Sequence, residues 1–130
     1  NQAAAGDARI RVHAEEIAEE DMAAYLAAAD VVTAPFEAIL TSSSVMTALS
    51  LGRPVIVPAL GCLPELVTPE AGIVYAPADP DALGRAMGAI KGRDQAAMSA
   101  AARRITDGLG WDDIARRTAE VYRSCVERSG

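Results

Sequence analysis

Short apolar, β-branched runs alternate along this chain with stretches in which apolar residues recur at helical spacing. The clearest instance runs from Asp30 to Pro58, DVVTAPFEAILTSSSVMTALSLGRPVIVP. It opens on Val31 and Val32, breaks at Pro35, and enters a small-residue helical pattern through the hydroxyl cluster Thr41, Ser42, Ser43 and Ser44. It then turns at Gly52 and rises into Val55, Ile56 and Val57. Two apolar strands joined by a helix imply a parallel pair, since antiparallel neighbours need only a tight turn. Strands are predicted over Arg9–Val12, Val31–Ala34, Val55–Val57 and Ile73–Tyr75. The first rests on Arg9, Arg11 and His13 alternating with Ile10 and Val12.

Helices are predicted over Asp21–Ala29, from near Ser43, over Pro80–Ile90, Arg93–Thr106 and Trp111–Val126, with a short turn at Pro64–Val67. Met22, Tyr25, Leu26 and Ala29 form the expected buried stripe of the first, and Met98, Ala101, Ala102 and Ile105 that of Arg93–Thr106. In the last helix Trp111, Ile114, Ala115, Val121, Tyr122 and Cys125 are read as core, with contact to another domain as the alternative. The fold class is α/β: one Rossmann-like parallel sheet with helices on both faces. Asn1 to Asp7, small and polar, is expected to fray.

At 130 residues the chain fits a single domain, residues 1–130, and can bury a core. The chain is 51% apolar residues with only 4% aromatic, so Ala, Val, Leu and Ile must build that core. A net charge of -6 argues against general binding to nucleic acid or an anionic membrane. Cys62 and Cys125 lack metal-ligand spacing and read as thiols of a reducing, cytoplasmic compartment. No apolar run approaches the ~20 residues of a membrane span.

In open parallel sheets ligands sit where loops leave the carboxyl ends of the strands, and Ala34 to Ser43 is such a loop. Its hydroxyls stand where a helix begins. They serve either as plain N-caps or, with the free N–H groups and the helix dipole, as an anion site. His13 has no nucleophile or carboxylate at triad spacing and reads as a surface histidine. Glu15, Glu16, Glu19, Glu20 and Asp21 read as a solvated face favouring a helix N-terminus. Glu65, in a long Pro- and Gly-rich connection, has two readings, a ligand contact or a helix-turn cap. The dinucleotide fingerprint G-x-G-x-x-G is absent.

Several of these segments together resemble a known family. Asp30-Val31-Val32, Pro35 and Leu51-Gly52-Arg53-Pro54-Val55-Ile56-Val57 are similar to the donor-binding half of group 1 (family 4) retaining glycosyltransferases of the GT-B fold. So are Gly61-Cys62-Leu63-Pro64-Glu65-Leu66-Val67, Ala71-Gly72-Ile73-Val74-Tyr75, Asp79-Pro80-Asp81-Ala82-Leu83 and Trp111-Asp112-Asp113-Ile114-Ala115. The likeness covers Ile10 to Cys125. It departs at one place: the family's two glutamates, the second contacting the donor ribose, would fall at Ile39 and Thr47. Glu37 lies two residues early, and the hydroxyl cluster stands in for part of the missing contacts.

The resemblance implies a nucleoside-diphosphate sugar as donor, with no cofactor and no metal. It implies a donor site at Glu37, Ile39, Leu40, Thr41, Ser42, Ser43, Ser44 and Thr47, and assigns no catalytic residue. It further implies that this chain is the carboxyl-terminal part of a larger two-domain enzyme. Partnered by an amino-terminal acceptor domain, that enzyme transfers a hexosyl group to a sugar or lipid-linked acceptor, the latter through peripheral membrane association. A glycine–arginine strand end and a lysine that hold the diphosphate in the family would precede residue 1. By itself the chain is expected to be inactive. The rival is a non-catalytic flavodoxin-like or receiver-like α/β module. A receiver needs an aspartate ending a central strand, whereas Asp30 starts one.

Overall fold

The computed structural model describes residues 7–128. The expected fraying of Asn1 to Asp7 falls almost wholly outside them. Three strands form one parallel sheet in the order β1 (Val32–Thr33), β2 (Val55–Pro58), β3 (Gly72–Tyr75). Val32 faces Val55 across the first pair, and Val55 faces Gly72 across the second. The parallel pairing inferred from the central strand–helix–strand unit is therefore the one observed.

All four residues of β2 are buried, as a strand covered on both faces requires. The alternation of its side chains sorts the interior into two layers. Val55 and Val57 join Val45, Ala48 and Leu49 of α2 (Ser43–Ser50) and Leu63 of α3 (Leu63–Leu66). Ala101 and Ala102 of α5 (Gln95–Asp107) complete that layer. Ile56, pointing the other way, packs with Ala86 and Ile90 of α4 (Ala82–Ile90) and with Met98 of α5. The sheet is thus flanked by helices on both sides, and β3 obeys the same period: Val74 packs with the first layer, Ile73 and Tyr75 with the second.

Two glycines let the backbone turn or approach where no side chain fits. Gly52 has φ +70° and stops α2. Gly72 lies so close to β2 that a Cβ would stand 2.3 Å from the Val55 carbonyl oxygen. Gly84 and Gly88 have nothing within 4 Å of such a Cβ, so they serve no close packing and only lower the propensity of α4.

Three expectations are corrected. Arg9–Val12 forms no strand: Asp7 accepts the Arg9 N–H at 2.9 Å and closes a turn, and the segment has no paired neighbour. Alternation without a partner strand leaves Ile10 and Val12 exposed. The helix α1 (Glu19–Ala28) starts before Asp21, so Glu19, Glu20 and Asp21 form its first turn, where their charge suits the dipole. Its Met22, Leu26 and Ala29 are half-buried but Tyr25 is exposed. The last helix, α6 (Trp111–Glu127), has no buried residue, and Trp111 and Tyr122 are 84% and 70% exposed. Their reading as core fails because the interior is already closed by α2, α4 and α5.

Candidate functional site

The loop from Ala34 to Ser42 leaves the carboxyl end of β1 and delivers the chain to the start of α2. Phe36 and Ile39 turn inward onto the first core layer and anchor it, while Glu37 and Thr41 are exposed and Leu40 is 77% exposed. Ser42 is buried and extended, φ -141° and ψ 117°, and is the N-cap of α2. Its Oγ accepts the Val45 N–H at 3.3 Å, and its carbonyl oxygen accepts the Met46 N–H at 3.2 Å. No protein acceptor among the described residues takes the N–H of Ser43 or Ser44. Two amides at the positive end of a helix dipole are thus left for water or an anion, as at any capped helix start.

The eight candidate donor residues therefore divide. Ser42 is committed to capping. Thr47, one turn into α2, donates its hydroxyl to the Ser43 carbonyl oxygen at 3.0 Å. Thr41, Ser43 and Ser44 are exposed on the first turn and the approach to it, and Glu37 and Leu40 stand on the loop surface. Ile39 faces the core side of the loop.

The second loop of the site leaves β2. Gly61, with φ +53°, turns it, and the Cys62 N–H donates to the Leu40 carbonyl oxygen at 3.0 Å. Sequence reasoning stopped at Glu65 in this stretch and missed the contact; the Gly61-Cys62 step within a loop of turn residues was its only signal. Glu65 is exposed in the first turn of α3. Pro64 sits in the same turn, where its missing N–H costs no intrahelical bond. Cys62 is half-buried, Cys125 exposed, and no disulfide joins them.

His13 sets its ring edge-on to Tyr25 of α1 with centroids 6.1 Å apart. With Glu15, Glu16 and Asp21 it borders a cavity of about 210 Å³.

This arrangement, with a hydroxyl-rich loop and a helix N-terminus at the carboxyl ends of adjacent parallel strands, is common to many nucleotide-binding sheets. A family comparison narrows it. The family described as "Glycosyl transferases group 1" matches residues 1–91, which take in all of β1, α2, β2, α3, β3 and α4 up to Ile90. The chain belongs to the group 1 glycosyltransferases. It is 28% identical over 117 residues to the MMP alpha-(1->4)-mannosyltransferase of Mycolicibacterium hassiacum, a stretch covering 86% of this chain and 28% of that protein. It also resembles the sucrose-phosphate synthase of Thermosynechococcus elongatus, with TM-score 0.70 and 30% identity over 87% of this chain and 29% of that one. The group 1 chain thus spans less than a third of the length of either relative. Among its described residues no helix is long and apolar enough to cross a membrane.

Proposed function

We propose that this chain is the donor-binding part of a retaining glycosyltransferase that takes a nucleoside-diphosphate sugar and passes its hexosyl group to a sugar or lipid-linked acceptor. The observation that carries the reading is the group 1 match over residues 1–91, because it includes the whole loop from β1 to α2. The hexosyl part follows the mannosyltransferase among the relatives.

In such a transfer the bond to the diphosphate breaks and negative charge grows on the departing phosphate oxygens. Preorganised donors aimed at that charge lower the barrier, since they need no reorganisation when it appears. The N–H groups of Ser43 and Ser44 and the hydroxyls of Thr41, Ser43 and Ser44 are such donors, all neutral. The cations that complete the charge balance in the family are not among these donors.

Ser42→Asp in the full-length enzyme tests the reading. An aspartate still accepts the Val45 N–H at the positive end of the helix dipole, which offsets the cost of burying its charge, while that charge repels a diphosphate. Paired melting and donor-titration curves are expected to show intact stability with strongly weakened donor binding. Unchanged donor affinity would reduce the hydroxyls to caps and remove the donor site from this loop.

A further inference from the structure

Gly61 is exposed to solvent, yet among the described glycines it is one of the most crowded. A Cβ built there stands 2.4 Å from the Leu40 carbonyl oxygen and 2.5 Å from that of Ile39. The next amide, Cys62 N–H, donates to the same Leu40 oxygen. The loop leaving β2 therefore rests main chain on main chain against the loop leaving β1. The obstructing atoms are backbone oxygens, so any side chain at position 61 must move the Ile39–Leu40 backbone instead of swinging a flexible tip aside.

We propose that Gly61 is a positioning residue for the nucleoside diphosphate: its close approach fixes Ile39 and Leu40, and through them Thr41 and the first turn of α2, in the arrangement that receives the diphosphate. The inference rests on the donor reading given above and adds a residue that the donor set did not contain. Donors serve an anion well only when they are held in place before it arrives, and displacing them by a few tenths of an ångström lengthens and bends hydrogen bonds that tolerate little of either.

Gly52 supplies the control. It too has a left-handed φ, and a Cβ there meets Arg103 Nε at 2.6 Å and Ser99 Oγ at 2.7 Å, but it lies at the opposite end of α2. Gly61→Ala, Gly61→Asn and Gly52→Ala in the full-length enzyme are titrated calorimetrically with uridine, guanosine, adenosine and thymidine diphosphates. Amide hydrogen exchange is followed without ligand. Both Gly61 variants are expected to weaken binding of the accepted diphosphate about tenfold and to speed exchange at Cys62 and at Ser43 to Val45. Asparagine tolerates left-handed backbone far better than alanine, so equal losses in the two mark crowding against Leu40 as the cause. Gly61→Asn also carries the test if alanine prevents folding. Gly52→Ala is expected to lower the melting temperature while leaving affinity within about twofold.

Wild-type affinity and exchange in the Gly61 variants would overturn the proposal, as would an equal loss of affinity in Gly52→Ala. A wild-type enzyme that binds none of the four diphosphates would overturn the donor reading instead, and the exchange rates would then still decide whether Gly61 fixes the loop.

Discussion

Ser42, Ser43 and Ser44 are neighbours of one chemical type with different expected roles. Ser42→Ala removes the acceptor of the Val45 N–H and is expected to cost about 1 kcal/mol, read as a lower melting temperature. Ser43→Ala and Ser44→Ala remove exposed hydroxyls and should leave melting unchanged while weakening donor binding about two- to tenfold each, the equivalent of one hydrogen bond. Donor titration of the full-length variants checks the split. Asp79 offers a prediction in pH. The Arg85 guanidinium first, then the Asp81 N–H, hold its carboxyl below the ordinary 3.8. A depressed carboxylate contributes stability that is present above the unfolded value and lost as pH falls through the folded one. Any gap in melting temperature between the wild type and Asp79→Asn should therefore be open at neutral pH and close as acid takes the solution below 3.8. A gap that widens in acid would contradict this.

At the scale of elements, β3 depends on an absent side chain. Gly72→Ala would press a methyl group onto the Val55 carbonyl oxygen and, at 2.7 Å, onto Val67 Cγ1. Parting β2 from β3 to admit it is expected to cost about 1–3 kcal/mol in denaturant unfolding. The strands and helices from Val31 to Asp107 were legible because each carries its own period and its own punctuation. Val55–Val57 read as an apolar strand, and Ser42 as one of a cluster of caps, from local chemistry alone. Arg9–Val12 misled because alternation reports which faces a strand would have, not whether a partner lies alongside. The stripe of α6 misled for the same reason: periodicity says which side of a helix is apolar and nothing about what meets it. The Gly61–Leu40 contact was illegible because it joins two loops through backbone atoms, which leave no residue-type pattern beyond a glycine.

At the scale of the molecule, the layers of core are complete without α6. Trp111→Ser in this chain is therefore expected to change unfolding free energy by no more than about 0.5 kcal/mol, where a core tryptophan would cost several. The chain taken alone, under a third of the length of its relatives, is expected to bind a nucleoside diphosphate weakly and to transfer no sugar. Product formation by rigorously purified chain would overturn that expectation.

The order β1-β2-β3 in space repeats the order of synthesis, so each strand, as it leaves the ribosome, finds its partner already made. Among the described strands none waits for a distant one, which keeps loop-closure costs low and shortens the time that open parallel edges are exposed. The lid on both layers comes late, however: Ala101 and Ala102 close one and Met98 the other, all from α5. A nascent chain stalled after β3 would hold a paired sheet with one face already covered by α2 and α3 and the other still wet. That second face is dried only when α4 and then α5 have followed.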